Sequence, residues 1–199
     1  MSDHERFADP GTTLHDMATH FVVHCPKCDG KALINPYEDS WRLTCISCFH
    51  VERPGHWYGN MTAYVSVKCR ECRHPLTRIA EVDGQWNKLK LKCDQCGDEC
   101  EYEANLSKHS KHNGLMTDPV FGLTLWLQKP VGDDVFWAYH YEHLSLLEQY
   151  VRAKLRERGV DNKGSKNSLM FSRLPTFITK AGNRKEIIKL IDELLVKTK

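Results

Sequence analysis

Alternation of apolar and polar positions predicts three hairpins in this 199-residue chain before any composition is counted. Ala32-Leu33-Ile34 and Trp41-Arg42-Leu43-Thr44 flank the turn-prone stretch Asn35-Pro36-Tyr37-Glu38-Asp39-Ser40. Leu76 to Val82 and Gln85 to Lys92 flank Asp83-Gly84, the strongest short hairpin signal present. Phe121, Leu123, Leu125 and Leu127 alternate with Gly122, Thr124, Trp126 and Gln128, and Pro130 to Asp134 then leads into Val135-Phe136-Trp137-Ala138-Tyr139. After that the period lengthens. Leu144, Leu147, Val151 and Leu155 fall on one face of a helix expected from about Glu142 to Arg158, stopped by Gly159. Asn183-Arg184-Lys185-Glu186 resembles a capping box and opens a second helix with the stripe Ile187, Ile188, Ile191, Leu194 and Leu195. The polar stretches Leu106–Gly114 and Asp161–Ser168 read as a linker and a loop.

Cysteine spacing changes this picture most. Eight of nine cysteines form Cys-x-x-Cys pairs: Cys25/Cys28, Cys45/Cys48, Cys69/Cys72 and Cys93/Cys96. Between the inner cysteines lie 16 residues in the first set and 20 in the second, both suited to four-cysteine zinc sites. Thiolates three positions apart converge on one tetrahedral ion when the chain turns tightly, and Gly30 and Gly97 stand where such turns are expected. A redox motif would compete for a single pair, but it belongs at a helix start within a βαβ pattern, which is not seen here. With four thiolates each, both ions are expected to be structural Zn²⁺, and residues 21–105 to unravel without them. Cys100 is left over and could replace Cys96. His50 and His74 follow knuckle cysteines, and His109 and His112 have ligand-like spacing; all four read as solvated turn or loop residues.

The expected fold class is two tandem β zinc ribbons followed by a small α+β domain of a β-hairpin plus helices. Its divisions are a flexible segment 1–20, ribbon 1 over 21–54, ribbon 2 over 64–105 and the α+β domain over 115–199. No cysteine follows Cys100, so no third metal site is expected in the carboxy-terminal half. Trp126, Trp137, Tyr139 and Tyr141 read as core residues, with a binding surface as the alternative. The first twenty residues carry charges of both signs without a signal-like apolar run, and no stretch approaches the roughly 18 apolar residues of a membrane span. A cytoplasmic protein with no membrane partner is expected.

The paired knuckles resemble the ribbons of general transcription initiation factors. Their tandem arrangement, followed by Phe-Gly-Leu-Thr-Leu-Trp-Leu-Gln from Phe121 and Leu-Glu-Gln-Tyr-Val-Arg-Ala-Lys-Leu-Arg-Glu-Arg from Leu147, is similar to a group of small bacterial zinc-ribbon proteins. That resemblance spans roughly residues 25–195 and implies immunity or accessory roles beside toxins for some members. It carries over only the eight cysteines.

Charge then sorts the partners. Residues 1–105 hold 12 basic and 16 acidic residues, a net −4, and two four-thiolate zinc centres would take this to −8. Residues 106–199 hold the other 16 basic and 10 acidic residues, a net +6. An acidic ribbon half suits a basic protein partner, possibly a toxin, better than phosphate. Against this, Lys88, Lys90 and Lys92 share one strand face that could follow a nucleic-acid backbone, although an edge strand presents such a row for solubility alone. Arg152, Lys154, Arg156, Arg158, Arg184 and Lys185 could meet either nucleic acid or the acidic ribbons themselves. Phosphate loops, metalloprotease motifs and serine elbows are missing from the sequence, and His140-Tyr141-Glu142-His143 reads as capping and surface residues at a strand-to-helix junction. A non-enzyme is expected.

Overall fold

The computed structural model describes residues 6–82, 87–157 and 168–196. The expected Asp83-Gly84 turn, the Gly159 helix stop and nearly all of the Asp161–Ser168 loop lie outside them. After β1 (Arg6–Ala8), the first ribbon is a four-stranded antiparallel sheet of β2 (Phe21–His24), β3 (Lys31–Tyr37), β4 (Ser40–Cys45) and β5 (Val51–Glu52), in that order. The β3/β4 hairpin is tighter than expected. Pairing continues to Tyr37 opposite Ser40, leaving only Glu38 and Asp39 in the turn, with Glu38 at φ 53°.

The second ribbon pairs differently from the expectation. It comprises β6 (Met61–Lys68), β7 (Pro75–Val82), β8 (Lys88–Lys92), β9 (Glu99–Glu103) and β10 (Asn105–Lys108). β7 pairs along its whole length with β6, and β8 pairs with β9, so the anticipated β7/β8 hairpin is not the pairing formed. The cysteine knuckles set the pairing. Each Cys-x-x-Cys knuckle is the turn of its own hairpin, with Lys68 opposite Pro75 and Lys92 opposite Glu99. Ribbon 1 follows the same rule, with His24 opposite Lys31 and Thr44 opposite Val51. Each of these six-residue closures brings its two strands together where the sulfurs converge.

The carboxy-terminal region contains β11 (Lys111–His112), β12 (Leu115–Met116), β13 (Leu127–Val131), β14 (Asp134–Ala138), α1 (Tyr141–Arg152), β15 (Leu155–Glu157), α2 (Thr176–Thr179) and α3 (Arg184–Val196). The hairpin expected to start at Phe121 starts at Leu127, opposite Ala138. Upstream, the buried carboxylate of Asp118 accepts the N–H groups of Val120, Phe121 and Leu123 at 2.8, 2.7 and 2.7 Å, which curls the chain off a strand path. Burial lifts the Asp118 carboxyl to about 6 in spite of those donors. Gly122 completes the curl at φ 74°, where a Cβ would lie 2.6 Å from the Gly59 nitrogen.

Helix α1 ends at Arg152, short of the expected Arg158. Its predicted last apolar position, Leu155, is 61% exposed, and Leu155–Glu157 pairs in parallel with β1. The amino-terminal segment that makes this pairing was expected to be flexible. Instead, Phe7 is buried, edge-on to Tyr150 at 5.5 Å and to Phe171 at 4.8 Å, and Thr13 bridges Leu169. Helix α3 buries Ile187, Ile191 and Leu194 of its expected stripe, adds Leu190, and leaves Ile188 and Leu195 partly buried.

The boundary expected between ribbon 1 and the α+β domain is also absent. Phe21, Val23, Ala32, Ile34 and Leu43 share one core with Phe121, Leu123 and Leu125. Backbone bonds reinforce it, from Val22 N–H to Tyr139 O at 2.8 Å and from Trp126 N–H to Val22 O at 2.9 Å. Trp126, Trp137, Tyr139 and Tyr141 are partly buried and pack against the two larger cores. No helix among the described residues is long and apolar enough to cross a membrane.

Two predictions follow from this packing. Phe7→Ala should lower unfolding stability in denaturant by about 3 kcal/mol, the usual cost of emptying a buried aromatic site, where a flexible segment would lose nothing. The second concerns His143, whose Nδ1 accepts the Tyr139 N–H at 3.2 Å; burial, with His140 nearby, holds the imidazole down to about 4. An unfolded histidine takes its proton near 6.5, so His143 adds full stability above that pH and loses it as the pH falls towards 4, about 3 kcal/mol in all. His143→Asn, which keeps an acceptor near Nδ1 but cannot titrate, should flatten stability measured across that window.

Candidate metal centres

Each knuckle is built the same way. The N–H of its first cysteine donates to the carbonyl five residues on: Cys25 to Gly30, Cys45 to His50, Cys69 to His74 and Cys93 to Asp98, all at 2.7–2.8 Å. The residue after its second cysteine is left-handed, with φ of 59° at Asp29, 59° at Phe49, 62° at Arg73 and 79° at Gly97. The sequence pointed to glycine for this role, and Gly97 fills it. Gly30 does not. Asp29 makes the turn, and Gly30 is needed for space, since a Cβ there would approach Ser47 Oγ to 2.8 Å and Cys28 Sγ to 3.3 Å.

These turns bring together all eight cysteines named from spacing. Cys25, Cys28, Cys45 and Cys48 form one cluster, and Cys69, Cys72, Cys93 and Cys96 the other, with the sulfurs of each within 4.8 Å of one another. Across the first, Cys25–Cys48 and Cys28–Cys45 are 3.7 and 3.6 Å apart; across the second, Cys69–Cys96 and Cys72–Cys93 are 3.6 and 3.5 Å apart. Disulfides would need about 2.05 Å. Tetrahedral sulfur around an ion with metal–sulfur bonds of about 2.3 Å gives edges of about 3.8 Å.

In each cluster two sulfurs are buried and two exposed, so one side is packed and the other open to solvent. The packed side carries the polarising donors. The N–H of Cys48 draws the Cys45 thiol down to about 6, against the effect of burial and with help from the Ser47 N–H. Burial works against ionisation at Cys93 too, yet the N–H groups of Cys96 and Gln95 bring it down to about 7.

Cys100 stands outside the second cluster, its thiol donating to Asp98 Oδ2 at 3.4 Å. His50 bonds Glu52 at 2.9 Å, His109 meets Thr62 Oγ1 at 2.6 Å and His112 meets Asn60 Oδ1 at 2.8 Å; none of them joins a cluster. One feature escaped the sequence reading. Around the second knuckle Ile46 is 50% exposed, Phe49 80% and Val51 54%, a group of large apolar side chains at the tip of ribbon 1. The available signal was apolar residues on either side of Cys48 in a segment already assigned to a turn.

Searches against family models, curated proteins and solved structures find no match.

The two ribbons should respond unequally to loss of a ligand. The buried core of ribbon 2 is Val65, Cys69, Leu76, Leu91, Cys93 and Tyr102, of which two are ligands, whereas ribbon 1 leans on Phe121, Leu123 and Leu125. Metal binding worth about 10 kcal/mol or more is comparable to all that these few side chains contribute. Cys72→Ser should abolish amide hydrogen-exchange protection across β6 to β9. Cys28→Ser should leave measurable protection in β2 and β3.

Proposed function

We propose that this chain is a non-catalytic, zinc-stabilised interaction protein that binds another protein through the tip of its first ribbon. The observation that carries the reading is the exposed trio Ile46, Phe49 and Val51. Large apolar side chains grouped on a rigid knuckle are what a protein interface uses as anchors. Zinc is the ion that four thiolates at these separations favour, and in this reading it is structural, since all four tetrahedral positions are taken by sulfur. The surrounding ribbon half is acidic, which favours a basic partner. The resemblance to toxin-neighbouring ribbon proteins makes a toxin, neutralised by occlusion, the narrower form of the proposal.

Nucleic-acid binding, the competing reading, loses its main support on the β8 strand. Lys88, Lys90 and Lys92 stand opposite Glu103, Glu101 and Glu99, and Lys90 also forms an ion pair with Glu99 at 3.2 Å. A row of cations answered by a row of carboxylates is a poor phosphate track. Two of the carboxy-terminal cations are similarly engaged: Arg152 bonds Glu148 and Asp192, and Arg156 lies over the Tyr150 ring at 4.3 Å and bonds its carbonyl.

Phe49→Gly separates binding from folding. Phe49 is left-handed and exposed, so glycine should relieve backbone strain and raise stability by about 1 kcal/mol. The same change removes the central anchor and should weaken partner capture about 30-fold, the effect of a typical hot-spot residue near 2 kcal/mol. Affinity capture from the native host after nuclease treatment, with wild type and Phe49→Gly side by side, tests both. Equal recovery of the same protein by the two, or recovery of nucleic acid alone with steep salt dependence, would remove the proposal.

A further inference from the structure

Away from both ribbons, a cavity of about 340 Å³ opens between the amino-terminal segment, β14, α1 and α2. Trp137, Leu147, Met170 and Ile178 supply apolar walls, and the His143 ring lies among them. A space of this size sits near the lower end of what small-molecule sites use. We propose that the cavity binds a small, neutral, largely apolar molecule whose carbonyl oxygen accepts the Nε2–H of His143.

His143 is 1% exposed, and its Nδ1 accepts the Tyr139 N–H at 3.2 Å, so the ring proton sits on Nε2. That Nε2–H has no hydrogen-bond partner among the described residues. Nor is it sealed in the interior like the unpartnered hydroxyl of Tyr141. The trace of surface this residue keeps therefore includes Nε2, and the cavity it lines is where that surface lies. A buried donor costs stability unless something accepts from it.

The donor selects the polar end of the ligand, and the walls select its body. A water molecule would accept the proton but leave the apolar walls wet, whereas a carbonyl on an apolar body satisfies both. A carboxylate suits the inner end poorly. Burial, with His140 nearby, keeps the His143 imidazole uncharged down to about 4, so it offers no cation to match a buried anion. The other ionisable lining residues, His15 and Arg173, are exposed and lie on the solvent side. Thr13 is engaged already, its hydroxyl donating to Asp16 at 2.8 Å.

The walls are held in place by the protein itself. Met170 N–H donates to the Thr12 carbonyl at 3.0 Å, Thr13 bridges Leu169, and Phe171 packs against Phe7 at 4.8 Å, which fixes the amino-terminal segment against the stretch that follows residue 168. Trp137 stands edge-on to His143, with ring centres 5.7 Å apart at 83°. A pre-formed apolar space with one placed donor gives up little order on binding. Its occupant touches the amino-terminal segment, α1 and α2 at once, and so stabilises the carboxy-terminal core and leaves the ribbon tip as it is.

Titration of the zinc-loaded protein with methyl naphthyl ketone, a neutral apolar carbonyl compound, followed by proton–nitrogen NMR of the histidine rings, provides the test. Wild type should bind the ketone saturably, with the His143 Nε2–H resonance moving downfield and the Met170 methyl group showing cross-relaxation to the ligand. Ile178→Trp, which extends a large side chain into the space, should weaken binding roughly tenfold or more. No saturable binding, binding that leaves the His143 resonance in place, or equal affinity in folded Ile178→Trp would each overturn the proposal. Should that variant fail to fold, the wild-type resonances decide alone.

Discussion

A left-handed residue immediately after each second cysteine is the constraint on which the ribbons depend. It bends the chain so that two sulfurs three positions apart point the same way, and it lets the following strand return antiparallel to the one before. Three of those four residues are not glycine: Asp29, Phe49 and Arg73 each occupy a conformation that costs an ordinary residue about 1 kcal/mol or more. Hydrogen bonds within six-residue turns do not obviously repay that cost three times over. An ion that binds four converged thiolates does, because its binding energy is also folding energy.

From that local device the two ribbons diverge. In ribbon 2 the knuckle hairpins β6/β7 and β8/β9 stand side by side as separate sheets among the described residues, over a small core in which the ligands themselves are members. In ribbon 1 the two knuckle hairpins fuse through β3/β4 into one sheet, whose inner face is completed by residues from beyond position 120. Asp118 makes this possible. By gathering three backbone N–H groups it folds Val120–Leu123 into a plug, and so delivers Phe121 and Leu123 to the ribbon as side chains of a loop instead of a strand. The buried charge is tolerated because its oxygens are saturated with donors.

The cysteine clusters were fully legible in the sequence, because Cys-x-x-Cys fixes a turn, a chemistry and a partner pair within four residues. The strand pairing of ribbon 2 was not. Asp83-Gly84 is a strong turn signal, but it competes with knuckles that gather four sulfurs, and propensity alone does not rank the two. The alternation from Phe121 to Gln128 was equally persuasive. There a single carboxylate four positions upstream of Gly122 outweighs it by offering the backbone another set of acceptors, something no period in apolar residues reveals. The ordering of residues 6–20 escaped for a related reason: Phe7 is one aromatic in a polar stretch, and only the position of Tyr150 and Phe171 gives it a place.

Phe49 brings the folding and binding arguments to the same atom set. Its backbone is strained, its ring is 80% exposed, and glycine, asparagine or aspartate would make the same turn with less conflict, as Asp29 and Gly97 do in the equivalent positions. A residue that adds strain to the fold while presenting an aromatic face to water is poorly explained by stability, and local rules are most often broken where a surface has work beyond folding. Ile46 and Val51 share that exposure on the same knuckle, whereas the equivalent positions on the second knuckle of ribbon 2 are Asp94, Gly97 and Glu99. One ribbon therefore carries polar residues and glycine at this tip, and the other leaves it apolar and open, which is why ribbon 1 is the one we propose for a partner.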